Sequence, residues 1–127
     1  MEVEFIPCEK DGCGVVRVSG PVTRDIYEPA VRTVLDLPIF EKGMSLIFDL
    51  READLTQLHA DDFRHFAIVN ARFAGRRGQA RSALVVRDKL QFGMMRMYST
   101  LGGTENLQNE IFSDLDAAIT WATRGAS

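Results

Sequence analysis

Short apolar runs alternate with helix-type patterns along most of the chain. Residues 45–50 and 82–86 are nearly continuous apolar runs, which are typical of strands buried on both faces of a parallel sheet. Residues 60–76, which lie between them, place apolar side chains at three- and four-residue steps, and this spacing predicts a helix. Because a strand–helix–strand unit returns by a right-handed crossover, this part of the chain predicts a largely parallel sheet.

The amino-terminal segment predicts two further strands and a helix. Residues 3–6 and 13–18 flank Asp11-Gly12, a turn pair that favours an antiparallel hairpin. Thr23 is expected to begin the first helix. Pro29 lies inside this helical pattern and removes a backbone donor, so we expect an irregular first turn and a regular helix from about Pro29.

The carboxyl-terminal segment predicts two helices and an edge strand. Asp88 is expected to cap a helix that stops at Gly102-Gly103, and residues 106–112 form a short, more polar strand. Ser113 is expected to start the last helix, in which Trp121 is predicted to be a core residue. The expected core stripe of the helix after Asp88 is Leu90, Met94, Met97, Tyr98 and Leu101. The predicted order is ββαβαβαβα in one domain, residues 1–127.

The composition is that of an ordinary globular domain. The chain has 127 residues, of which 46% are hydrophobic, and a net charge of −3, which argues against a nucleic-acid binder. No apolar run approaches the ~18–20 residues of a membrane span, and the first residues lack a signal-peptide pattern, so we expect a cytoplasmic protein. Residues 72–96 hold seven basic residues against Asp88 alone. Cations at a helix end explain them, and a positive strip for an acidic partner or phosphate is the alternative.

The residue patterns of common active sites are missing from the sequence. There is no Gly-x-Ser-x-Gly segment, and Gly12-Cys13-Gly14 enters a strand where a phosphate-binding loop would need a helix. His59 and His65 lack the partners of a metal site, and Cys8 is expected to be a reduced thiol, as is Cys13. We therefore expect no catalytic residue, no cofactor and no metal.

A polar segment, residues 51–59, follows the buried strand at 45–50. In open α/β sheets, ligands bind beyond the carboxyl ends of the strands, where this segment is expected to lie. The predicted interaction residues there are Asp49, Arg51, Asp54, Thr56 and His59. The alternative is that the carboxylates only accept hydrogen bonds from nearby backbone groups.

Three large apolar residues fall outside the predicted core stripes. Ile68, Phe92 and Met95 form the predicted apolar partner face, because a surface helix normally carries polar residues on its outer side. We expect this face to form a homodimer. The alternative is that both sides of the helix are buried between the sheet and a neighbouring helix.

Four segments carry a family resemblance. They are residues 23–29 (TRDIYEP), 46–55 (LIFDLREADL), 92–97 (FGMMRM) and 111–121 (IFSDLDAAITW). Together they resemble the SpoIIAA-like group of the STAS superfamily, small bacterial proteins related in fold to anti-sigma-factor antagonists and, more distantly, to CRAL-TRIO lipid-transfer domains. The resemblance implies an α/β fold with a four- to five-stranded mixed, mostly parallel sheet, helices mainly on one face, and no catalytic apparatus.

The resemblance also implies a regulatory role. Anti-sigma-factor antagonists of this superfamily carry a phosphorylatable serine at the start of the helix after the central strand. This sequence has no serine there, and Thr56 is the only hydroxyl of the segment. We expect binding without chemistry at this segment, and phosphorylation of Thr56 is the alternative.

Three functions follow from these patterns. The first is a non-enzymatic regulatory or protein-interaction module. The second is a protein that binds a small apolar ligand or a lipid, in a cavity lined by Phe63, Phe66, Phe73, Met94 and Met97. The third is an enzyme, which would need a carboxylate or histidine of perturbed pKa between Asp49 and Asp62.

Overall fold

A five-stranded sheet forms the centre of the protein, which we describe from a computed structural model over residues 1–9 and 12–124. The strands lie in the order β1-β2-β3-β4-β5. β1 pairs with β2 in the antiparallel sense, and every other neighbouring pair is parallel. The strands are β1 (Glu2–Pro7), β2 (Cys13–Pro21), β3 (Ser45–Asp54), β4 (Ala80–Val85) and β5 (Leu107–Phe112). The predicted mixed, mostly parallel sheet is confirmed.

Helices cover both faces of the sheet unequally. α1, α2 and α4 pack on one face, in a core that includes Val34, Phe66 and Tyr98. Among the helices of the described residues, α5 alone packs on the other face, where Ala118 and Ala122 contact a second core cluster from the central strands. The helices are α1 (Arg24–Leu35), α2 (Ala60–Arg72), the single turn α3 (Ala74–Arg77), α4 (Lys89–Leu101) and α5 (Leu115–Thr123). The prediction of helices mainly on one face is confirmed.

β3 is longer than the sequence predicts. It continues through Arg51 to Asp54, so the segment expected to leave the sheet after Leu50 is still strand over its first four residues, and Glu52 to Asp54 pair with β2. The pairing shifts by one residue there: Arg17 pairs with Asp49 and Ser19 with Glu52, so Leu50 and Arg51 of β3 oppose Val18 alone, and the two strands then pair as far as Pro21 and Asp54. The β3–α2 loop is therefore only residues 55–59.

The helix boundaries contain three departures from expectation. α1 begins after Thr23 as predicted, but it is helical from Arg24 onward with Pro29 inside it, so the irregular first turn is absent. The predicted helix over 60–76 breaks at Phe73 into α2 and α3. α5 is capped by Asp114, whose side chain accepts from the Asp116 amide, where the sequence predicted Ser113.

α4 is rotated about its axis relative to the prediction. Its buried residues are Gln91, Met95 and Tyr98, whereas Leu90 is 59% exposed and Met97 is also exposed. The prediction that Leu90 and Met97 belong to the core stripe was therefore wrong. Met95 does not belong to the predicted apolar partner face. Gln91 explains the rotation: its Nε2 donates to the carbonyls of Leu50 (2.8 Å) and Ala53 (3.0 Å), so a polar residue occupies a core position.

The two cysteines are paired in the hairpin. Cys8 and Cys13 form a disulfide across the β1–β2 turn, with their Cα atoms 5.3 Å apart, and the Cys8 amide donates to the Cys13 carbonyl. The expectation of reduced thiols was wrong, because the hairpin register brings the two residues within the Cα separation that a disulfide needs. No helix in residues 1–9 and 12–124 has the length and apolar character needed to cross a membrane.

Candidate functional site

The five predicted interaction residues fall into two places. Asp49 and Arg51 point to the α5 side of β3, since they alternate with core residues of the other face. Asp54, Thr56 and His59 lie at the end of β3 and in the β3–α2 loop, where all three are exposed. The structure therefore separates an ion pair within the sheet from an exposed loop.

Asp49 is a buried partner of arginine. It is only 3% exposed, and both of its carboxylate oxygens accept from the Arg51 guanidinium at 2.9 Å, with Arg17 Nε 3.8 Å away. The hydrogen bonds from Arg51 hold the pKa of Asp49 below its ordinary value. An ionised carboxylate engaged in this way joins β2 and β3 and is not free to exchange a proton near neutral pH.

The β3–α2 loop has a defined conformation. Asp54 Oδ1 accepts from the backbone N (2.9 Å) and from Oγ1 (2.6 Å) of Thr56, and these bonds lower the pKa of Asp54. Leu55 and Leu58 are buried in the core on either side of Thr56, and the Leu58 amide donates to the Leu55 carbonyl. Two apolar anchors and one Asx-type turn thus present the Thr56 hydroxyl and its neighbours to solvent.

The start of α2 fixes the other side of the loop. His59 is the N-cap residue, its side chain is 82% exposed, and its amide donates to Asp62 Oδ2 at 2.8 Å. Asp62 Oδ1 accepts from Arg24 Nε at 2.8 Å, which ties α1 to α2. The bond from the His59 amide is the main reason that the pKa of Asp62 is lowered. The acids of this edge are therefore ionised acceptors, with no carboxyl among Asp49, Asp54 and Asp62 adjusted for acid catalysis.

The predicted apolar partner face is incomplete. Ile68 (54% exposed) and Phe92 (43% exposed) are on the surface, whereas Met95 is buried. The Arg96 guanidinium lies 6.0 Å from the Phe92 ring centroid, in cation–π range.

Most basic residues of 72–96 have partners within the protein. Arg72 pairs with Glu28 (2.6 Å), and Arg76 pairs with Asp36 (2.9 Å). The Arg81 guanidinium lies 5.1 Å from the ring centroid of Trp121, which is only partly buried where the sequence predicted a core position. These pairs favour the local structural explanation of the basic run over a free positive strip.

An apolar cavity of about 120 Å³ lies between the sheet and helices α1 and α2. Phe63, Phe66 and Phe73 line it as predicted, but Met94 and Met97 do not, since α4 turns Met95 toward the core in their place. An engineered cavity of about 150 Å³ binds benzene, so this cavity matches one ring or a short branched chain and is too small for a long acyl chain.

Four polar side chains also line the cavity. Tyr27 Oη donates to Asn70 Oδ1 (2.8 Å), and Asn70 Nδ2 donates to Tyr98 Oη (3.1 Å) and to the Gly102 carbonyl (2.8 Å). Burial raises the pKa of Tyr27 well above its ordinary value. The fourth is Arg77, which is 7% exposed. Asn70 stands among the apolar positions of the helix predicted over 60–76, and this polar residue is the one sequence signal for the cluster, whereas the basic run that contains Arg77 is explained by a helix end.

Within the described residues, no group of three or more potential metal ligands lies close enough to hold an ion. This also applies to Cys8 and Cys13, which have no histidine or carboxylate among the described residues placed to form a metal site with them.

Comparison with known proteins supports the architecture. No protein-family model and no curated protein matches the chain by sequence. Its structure is similar to a crystal structure of an uncharacterised DUF3478-family protein with a SpoIIAA-like fold from Shewanella loihica PV-4, with a TM-score of 0.62, 18% identity, and 95% and 92% of the two chains covered. It is also similar to an anti-sigma factor antagonist from Mycobacterium paratuberculosis, with a TM-score of 0.54, 18% identity, and coverage of 95% and 94%.

The resemblance drawn from the four sequence segments is thus confirmed as a likeness in fold. Both solved structures match nearly the whole chain, and the five-stranded mixed sheet with its helices mainly on one face is what the resemblance implies. The chain has the SpoIIAA-like fold.

Proposed function

We propose that this protein is a non-enzymatic regulatory module that binds a protein partner through the β3–α2 loop and the adjacent Asp54. The observation that carries the proposal is the preformed loop at the carboxyl edge of the sheet, with Leu55 and Leu58 buried and Thr56 held by Asp54. A loop that is already ordered loses little conformational entropy when a partner binds. The likeness in fold to an anti-sigma factor antagonist is consistent with such a role.

The electrostatics of this edge favour binding over catalysis. The pKa values of Asp49, Asp54 and Asp62 are all lowered by the hydrogen bonds that they accept. A general acid at neutral pH needs a raised carboxyl pKa, and a nucleophile needs a base beside it. Ionised carboxylates and an exposed imidazole are instead suited to recognise donors on a partner.

The test is affinity capture from lysate of the source organism. The triple variant Asp54→Ala, Thr56→Ala and His59→Ala changes the exposed polar groups while keeping both leucine anchors. Its matched control changes three exposed residues on β5 or just before it, away from the loop: Glu105→Ala, Gln108→Ala and Glu110→Ala. We expect the wild type and the control to capture the same protein, and the loop variant to lose it. Equal capture by all three would contradict the proposal.

Phosphorylation of Thr56 would change this account. A phosphate would add about −1.5 to −2 charge beside Asp54 and break the bond from Thr56 Oγ1 to that carboxylate. The loop would then act as a switch. Incubating the purified protein with lysate and ATP, followed by mass spectrometry, distinguishes an unmodified loop from a phosphorylated one. We expect no phosphate on Thr56. Stoichiometric phosphate there would show that phosphorylation regulates binding by the loop.

A second candidate function is the binding of a small apolar molecule. The observation that favours it is the cavity of about 120 Å³ under α1 and α2, with its mostly aliphatic and aromatic lining. Native mass spectrometry of the recombinant protein is the direct test. We expect a non-covalent adduct, or a shift in mass on addition of toluene. A protein that stays empty with excess toluene would contradict this function.

A further inference from the structure

Arg77 is a buried cation without an anionic partner. It is 7% exposed, its Nη2 donates to Ser82 Oγ at 3.1 Å, and its Nε has no acceptor. Within residues 1–9 and 12–124, no carboxylate lies within ion-pair distance of its guanidinium, although eight other arginines of the same part of the chain have one. Burying a charge is unfavourable unless it is paired and hydrogen-bonded, so an anionic partner would stabilise Arg77 here.

The surroundings of Arg77 supply both a space and a further donor. Arg77 lines the same cavity as Tyr27, Asn70 and Tyr98. Because the Tyr27 hydroxyl donates to Asn70 Oδ1, the hydrogen of the Tyr98 hydroxyl has only a 3.4 Å contact with Tyr27 Oη. A ligand oxygen in the cavity can therefore receive hydrogen bonds from Arg77 and from Tyr98.

We propose that the cavity binds a small monocarboxylic acid whose carboxylate pairs with Arg77 and whose ring or short branched chain fills the apolar space. This inference rests on the proposed small-molecule function and adds the chemical class of the ligand. A carboxylate is planar and accepts two parallel hydrogen bonds from a guanidinium. One negative charge balances the one buried positive charge.

Size and charge exclude the other common anions. A phosphate carries about −1.5 to −2 charge at neutral pH, and one guanidinium with one hydroxyl cannot neutralise it in an apolar cavity. A long-chain fatty acid has the right head group, but about 120 Å³ holds only a ring-sized apolar part. An aromatic acid of the size of benzoate fits both limits.

The experiment compares three probes of nearly equal size by amide NMR titration of the full chain. Toluene has no polar group, benzamide has a neutral one, and benzoate has a charged one. We expect all three to perturb the amides around Phe66 and Asn70. We expect benzoate to bind about tenfold or more tightly than benzamide, the ratio typical of one hydrogen bond to a charged group.

Two variants test which arginine causes the preference of the cavity for benzoate over benzamide. Arg77→Met keeps an unbranched side chain of about the length of the arginine's aliphatic part and removes the charge, and we expect it to bind benzoate and benzamide equally. Arg76→Met is the matched control, because Arg76 pairs with Asp36 on the surface, and we expect the wild-type preference to remain. If Arg77→Met does not fold, the Arg77 Nε–Hε resonance of the wild type gives the same information: it should shift with benzoate and stay in place with benzamide.

The outcomes separate the two proposals. Binding of toluene and benzamide with no preference for benzoate overturns the role of Arg77 and leaves the cavity as an apolar site. Binding of none of the three probes overturns the small-molecule function itself.

Discussion

At the scale of single residues, buried polar groups determine how the helices and strands meet. Gln91 fills the gap where β3 ends, because its side chain donates to the Leu50 and Ala53 carbonyls and accepts from the Arg87 amide at 2.7 Å. The buried Asp49 carboxylate connects β2 to β3, because it accepts from Arg51 and lies near Arg17. Neither role is visible in the sequence, since the partners are carbonyls and arginines brought together by the sheet.

Replacing Gln91 should be costly despite the apolar surroundings. Gln91→Leu leaves the two buried carbonyls of β3 without donors, and an unsatisfied buried group costs ~1–3 kcal/mol. We expect the free energy of unfolding, measured in urea, to fall by about 2 kcal/mol or more. The exposed Gln57→Leu should change it by less than about 0.5 kcal/mol. Equal effects would contradict the role assigned to Gln91.

The Asp49 ion pair predicts a pH dependence. Its pKa is lower in the folded protein than its ordinary value, so the pair stabilises the fold above that ordinary value, and the contribution disappears as pH falls through the lowered pKa. We expect Asp49→Asn to reduce stability at pH 7 by about 1.5–3 kcal/mol. Its stability should also fall less steeply than that of the wild type between about pH 5 and pH 2. Parallel curves for the two proteins would show that Asp49 does not supply this pH dependence.

At the scale of elements, continuous apolar strands were predictable and helix orientation was less so. Residues 45–50 and 82–86 are so uniformly apolar that only burial on both faces suits them, and β3 and β4 lie there. The end of β3 depends on how it pairs with β2 beyond the register shift, which is a non-local property. The orientation of α4 was predicted wrongly because the apolar pattern gives no sign that Gln91 is buried.

The orientation of α4 can be measured with two matched truncations. Met95 is buried and Met97 is exposed on the same helix. Met95→Ala should lower the free energy of unfolding by ~2–5 kcal/mol, since it leaves a cavity in the core. Met97→Ala should have a small effect, within about 0.5 kcal/mol. The reverse order in a chemical denaturation series would restore the orientation that the sequence predicted.

The homodimer stays a prediction and now depends on the exposed members of the predicted face. Phe92 and Ile68 remain on the surface, and contact between two copies would remove their apolar area from water at roughly 25 cal/mol per Å². Sedimentation velocity should show a dimer for the wild type and a monomer for Phe92→Glu. A wild-type monomer at high protein concentration would remove this prediction.

At the scale of the whole molecule, the sheet separates three kinds of surface and space. The α5 side carries the Asp49 ion pair, the carboxyl edge carries the exposed β3–α2 loop, and the α1–α2 side encloses the cavity. The loop position was predictable, because strand order alone places it at the carboxyl edge. The cavity with Arg77 was not, because the burial of that residue depends on how α3, β4 and the two helices pack together.

The proposed function requires a protein partner to contact the β3–α2 loop of this molecule. A photo-crosslinking amino acid at Gln57, in the β3–α2 loop, should give one discrete product of higher mass when the protein is expressed in its source organism and irradiated. The same group at Gln108, an equally exposed position on β5, should give none. Crosslinking from Gln108 alone, or from neither position, would contradict the assignment of the β3–α2 loop as the binding surface.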